Sequence, residues 1–82
     1  MDRRIRRTRQ FLGQALQELI IEKSYETITV QDITDRADLN RATFYLHYAS
    51  KEELLGDFLE SQFDVLVQRI EEETGGNVHE EL

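Results

Sequence analysis

Three residues able to cap a helix, Thr29, Asn40 and Ser50, stand ten or eleven positions apart in a chain without proline. Each offers a side-chain oxygen to the N–H groups that a first helical turn leaves unpaired. The intervals they open hold only two turns of helix each, about residues 30–37 and 41–47. Asp38-Leu39-Asn40 joins them, and Asp enters left-handed backbone more readily than most residues. Val30, Ile33 and Ala37 would face inward from the first segment and Phe44 from the second. Two short helices across a three-residue turn have helix-turn-helix spacing. Ile28-Thr29-Val30 is β-branched, but three residues with no partner strand do not make a sheet.

Longer helices flank this unit. From about residue 3 to 23, Ile5, Leu12, Leu16, Leu19 and Ile20 recur on one face, with Phe11 and Ala15 at its flank. Asp2 and Thr8 both qualify as its cap, and Gly13 weakens it slightly. Ser50-Lys51-Glu52-Glu53 spells a capping box, opening a fourth helix to about residue 73. Gly75-Gly76 would stop it, leaving a polar tail. The expected class is therefore all-α, in one domain, since 82 residues support a single small core.

Composition removes several functions. Without cysteine there is no disulfide framework, cysteine zinc site or thiol nucleophile. No apolar run is long enough to cross a bilayer, and the arginine-rich start lacks the apolar core of a signal peptide, so a cytoplasmic location is expected. Gly-rich phosphate loops and metal-ligand pairs are missing from the sequence, and no pocket is in prospect to shift its carboxylates, so neither enzyme activity, a cofactor nor a metal site is expected. His79 beside Glu80 and Glu81 lacks a second histidine at ligand spacing.

The net charge of −7 argues at first against a nucleic-acid partner. Residues 1–48 nevertheless carry +1 and residues 49–82 carry −8. Five arginines, Arg3, Arg4, Arg6, Arg7 and Arg9, fall within the first nine residues. Such asymmetry points to an anionic partner at one end. The fourth helix, meanwhile, carries two adjoining apolar stripes. Leu54, Phe58 and Val65 form one, and Leu55, Leu59, Phe63, Leu66 and Ile70 the other. The three preceding helices can cover one stripe near its start; past about Glu60 nothing in the chain is left to do so. A missing domain or a second copy is the expected cover, and a long helix with exposed leucines is the plainer alternative.

Arg41-Ala42-Thr43-Phe44-Tyr45-Leu46-His47-Tyr48 carries the chemistry. With Phe44 in the core, Arg41, Thr43, Tyr45 and His47 are expected on or near the open face. They offer donors that suit base edges and phosphate oxygens in a major groove. Lys51, in the first turn of the fourth helix, opposes the helix dipole unless an anion lies near. The same holds for the arginines at the start of the first helix.

The string Thr43-Phe44-Tyr45-x-His47-Tyr48-x-Ser50-Lys51-Glu52-Glu53-Leu54, preceded by Ile28-Thr29-Val30-x-x-Ile33, resembles the N-terminal DNA-binding domain of TetR-family regulators. The resemblance runs over about residues 5–70. It implies a homodimeric repressor on a palindromic operator of double-stranded DNA, released by a small-molecule inducer. By that resemblance Gln31, Arg41 and Thr43 would read bases, while Thr29, Tyr45, His47 and Lys51 would hold phosphates. Arg3, Arg4, Arg6 and Arg7 form a possible DNA arm. Ile33, Ala37, Leu39, Phe44 and Tyr48 would make the core of the unit. Residues 1–50 would be the three-helix DNA-binding domain and residues 51–73 a connector to an absent ligand and dimerisation domain. Residues 74–82 would be a flexible tail. Asp38 and Ser24 stand where the family often has glycine, Thr34 where it has alanine, and Tyr48 where phenylalanine is common.

Blander readings stand beside these. The arginine cluster can be a solvated tail, Tyr45 a half-buried core aromatic, and Tyr25 packing under the loop after the first helix. The rival function is a helical protein-interaction module that uses the fourth helix's apolar stripe and does not bind DNA.

Overall fold

The computed structural model describes residues 2–74 as four helices. They are α1 (Arg3–Glu22), α2 (Val30–Ala37), α3 (Arg41–His47) and α4 (Lys51–Thr74), with a 3-10 turn, Tyr25–Thr27, after α1. Gly75-Gly76, His79 and the rest of the tail lie outside the described residues. The caps decide these limits. Asp2, not Thr8, opens α1, its carboxylate accepting from the Arg4 N–H at 2.8 Å. Thr8 instead donates its hydroxyl to the Arg4 carbonyl within the helix. Thr29 and Asp32 form a full capping box on α2, at 3.0 Å in both directions. Asn40 caps α3 by accepting from the Thr43 N–H at 2.8 Å. At Ser50 only half of the expected box forms: Ser50 Oγ accepts from the Glu53 N–H at 3.3 Å.

The turn between α2 and α3 is tight because Asp38 sits at φ 59°, ψ 44°. That conformation lets the Leu39 N–H reach the Thr34 carbonyl and the Asp38 N–H reach the Asp35 carbonyl, which closes the helix with a Schellman motif. Leu39 thereby turns back to pack against the core.

The core gathers Leu12, Ala15, Leu16 and Leu19 of α1, Ile28 of the connecting loop, Ile33 of α2, Phe44 of α3, Tyr48 and Leu54 of α4. Phe44 is fully buried, and removing such a ring costs on the order of 3–5 kcal/mol. Thr34, also fully buried, satisfies its hydroxyl on the Val30 and Gln31 carbonyls. Val30 and Ala37 are only half-buried against this cluster. The apolar stripe of α1 is shorter than its sequence suggests, since Ile5, Phe11 and Ile20 are exposed. α1 packs on α2 and on the start of α4. The latter approach is close: a Cβ at Gly13 would lie 3.2 Å from Phe58 Cδ1. Beyond that crossing Leu59, Phe63, Val65, Leu66 and Ile70 of α4 are exposed. Among the described residues no helix is long and apolar enough to cross a membrane.

Candidate nucleic-acid interface

α3 has seven residues, and burying Phe44 fixes what the remaining six can present. Arg41, Ala42, Tyr45 and Leu46 are exposed, whereas Thr43 and His47 are half-buried. Thr43 and His47, expected on or near the open face, lie at its margins. The Thr43 hydroxyl donates to Asn40 Oδ1 at 3.0 Å, so it is engaged in the cap. His47 Nδ1 accepts from Arg9 Nε at 3.4 Å, which leaves Nε2–H as the donor that faces other partners. Tyr45 lies edge-on to Phe44 with ring centroids 5.2 Å apart and remains 47% exposed. It is neither wholly core nor wholly free.

Ala42 and Leu46 are the exposed residues that attention to polar side chains passes over. Counting round the helix from Phe44 finds them, since positions two before and two after a buried residue fall on the opposite side.

The arginines divide. Arg3, Arg4, Arg6 and Arg7 occupy the first turns of α1 and are exposed. Arg9, one turn further, lies over the Tyr48 ring at 5.7 Å and bonds His47, joining α1 to the end of α3. Among the described residues, the ion pairs are Lys23–Asp32 and Arg36 with Glu18 and Glu22. Arg3, Arg4, Arg6, Arg7 and Arg41 take part in none of them. Lys23 and Arg36 are thus paired with carboxylates, and the arginines at the start of α1 and Arg41 of α3 keep their charge for a partner.

Lys51 is placed differently from a free phosphate clamp. Its ammonium donates to the Tyr25 and Ile28 carbonyls, both at 2.9 Å, and lies 4.3 Å from the Tyr25 ring centroid. These acceptors answer the dipole argument without an external anion. Tyr25 packs under the loop and donates its hydroxyl to Glu52 at 2.8 Å. Burial, and then the Glu52 carboxylate, push its phenol up to about 12. A parallel link ties Tyr48 to α4 through a short hydrogen bond to Asp57, and burial followed by that carboxylate raises the Tyr48 phenol further.

At the start of α2, Gln31 is exposed and donates to Asp35 at 2.7 Å, one turn along. Thr29 is exposed; its oxygen accepts from the Asp32 N–H, which leaves its O–H free to donate. The Lys23 ammonium, with the Thr29 N–H, holds the Asp32 carboxyl down at about 2. Ile33, Phe44 and Tyr48 are buried, and Ala37 and Leu39 pack partly buried against them.

A family model described as bacterial regulatory proteins, tetR family, matches residues 14–58, from mid-α1 to the second turn of α4. An uncharacterized HTH-type transcriptional regulator of Bacillus subtilis, YxbF, is 52% identical over 56 residues, which is 67% of this chain and 15% of that protein. The HTH-type transcriptional regulator TcmR of Streptomyces glaucescens is 40% identical over 63% of this chain and 23% of its own length. DhaS of Lactococcus lactis, an HTH-type transcriptional activator of the dhaKLM operon, is 33% identical over 73% of this chain and 32% of its own. The chain thus spans a third or less of the length of these relatives. No solved structure matches it significantly. Fold, match and relatives agree that this chain belongs to the tetR family of bacterial helix-turn-helix transcriptional regulators.

Proposed function

We propose that this chain is the operator-binding part of a cytoplasmic, non-enzymatic repressor that acts as a homodimer on a palindromic site. The observation that carries the reading is the exposed face of α3, with Arg41 on it, together with Arg3, Arg4, Arg6 and Arg7 at the start of α1, none of which a carboxylate of the described residues pairs. In this reading α3 enters the major groove. Arg41 supplies the bidentate donor that suits guanine, with Gln31 and Thr43 at the edges of the contact. Tyr45 and the Nε2–H of His47 reach phosphates, and Thr29 does so at the start of α2. Arg3, Arg4, Arg6 and Arg7 supply the electrostatic attraction. Lys51 has one N–H left for a phosphate after its two carbonyls.

Residues 1–50 are then the DNA-binding unit. Residues 51–73 connect it to dimerisation and inducer-binding elements outside this sequence. Two copies would meet half-sites one or more helical turns apart, on the order of 34–36 Å per turn. The exposed apolar side of α4 also suits a protein partner, and that surface serves dimerisation in the same scheme.

Binding of the 82-residue chain to duplex DNA at several salt concentrations tests the reading. The logarithm of affinity should fall with log[salt] at about −0.9 per phosphate neutralised, a slope near −4 if four cations engage. Binding absent, or indifferent to salt, refutes it.

A further inference from the structure

Leu46 is 82% exposed, more so than any other large apolar residue described, and it lies at the crest of α3. The fold has no use for it there, because Phe44 faces the core from the opposite side. At about 100° per residue, Ala42 and Leu46 each lie about 160° from Phe44 and one turn from each other. They form a short apolar strip. Arg41 and Tyr45 line one of its flanks; Thr43 and His47, both engaged in internal hydrogen bonds, line the other.

An apolar strip between polar flanks, one of them carrying the unpaired Arg41, fits a surface that is charged at its edges and apolar at its floor. The major groove of DNA is such a surface. Phosphates line its edges, and the one apolar group on its floor is the C5-methyl of thymine. Ala42 contributes by being small, so that the helix can approach closely enough for Leu46 to touch. An apolar protein surface would answer the leucine but would leave Arg41 without a counter-charge.

We propose that Leu46 is a specificity-determining residue that reads thymine by packing on its C5-methyl, with Ala42 setting the depth of approach. This rests on the DNA reading above and adds to it the base that the crest of α3 prefers.

The test uses uracil, which differs from thymine only by that methyl. Duplexes are selected from a random pool with the 82-residue chain, and each thymine of the enriched site is replaced singly by uracil. At one or two positions the wild-type chain should lose about fourfold in affinity, the equivalent of one buried methyl group. In Leu46→Ala the loss at those positions should shrink below about twofold, by the logic of a double-mutant cycle. The substitution is at an exposed site and favours helix, so the fold should persist, as circular dichroism will show. Equal uracil losses in both proteins would mean that groove shape is being read, and would overturn the proposal. Indifference to uracil everywhere overturns it too. A change in self-association on Leu46→Ala, with an unaltered uracil profile, assigns the leucine to a protein contact and overturns it as well. Failure to enrich any duplex sinks the DNA reading itself, and the Leu46 proposal with it.

Discussion

Replacing Lys51 by methionine keeps most of the side chain's length and removes its ammonium. Two hydrogen bonds at 2.9 Å to the Tyr25 and Ile28 carbonyls disappear, and so does the contact with the Tyr25 ring. Hydrogen bonds from charged donors are worth about 1.5–3 kcal/mol each when well buried. Lys51 is only half-buried, so the lower end applies. The ring contact adds about 0.5–1 kcal/mol. Two effects oppose the loss: an unfavourable cation leaves the first turn of α4, worth about 0.3–1 kcal/mol, and an ordered side chain regains freedom. The balance is a destabilisation of about 2 kcal/mol. With a urea dependence of about 1 kcal/mol per molar for a domain this small, the unfolding midpoint should fall by roughly 2 M. Urea denaturation followed by far-UV circular dichroism measures it directly. If Lys51→Met unfolds at the wild-type midpoint yet binds DNA more weakly, the ammonium serves a phosphate and not the turn, and the structural reasoning fails.

Other perturbations address the turn and the capping box of α2. Asp38→Gly should stabilise the chain by about 0.5–1 kcal/mol, because glycine takes the left-handed conformation at φ 59° without a Cβ clash; a thermal or urea midpoint below wild type would contradict this. The same change removes a negative charge beside α3 and should strengthen DNA binding at low salt. Asp32, held at about 2 against an ordinary 3.8, contributes stability that is fully present above its unfolded value and is lost as pH falls through this window. Urea midpoints should therefore decline between about pH 4 and pH 2, and Asp32→Asn should be weaker at neutral pH but flatter across that range.

The limits of α2 and α3 and the start of α4 were legible in the sequence because caps act locally. Thr29 with Asp32, Asn40 with Thr43 and Asp38 at its left-handed turn each depend on residues within five positions. The burial of Phe44 and Ile33 followed from helical spacing alone. The candidate site was less legible, because its side chains answer to distant ones. Lys51 is claimed by carbonyls 23 and 26 residues earlier, and His47 by Arg9, 38 residues away. No short-range pattern encodes either contact. Leu46 is a different case. Its position was computable from Phe44, but an apolar residue does not announce itself when donors and acceptors are being sought.

α4 is continuous in geometry but divided in energy. Its first two turns are bound into the domain through Leu54, Lys51 and Asp57, so the helical hydrogen bonds there should open together with the domain. Past the Phe58 crossing the exposed leucines show that little but the helix's own hydrogen bonds holds the remaining four turns. Those turns can fray and reform on the sub-microsecond to microsecond scale of helix–coil exchange without disturbing the rest. A spectroscopic probe placed there would report the local melting of one rod, and a probe near Leu54 the cooperative stability of the DNA-binding unit.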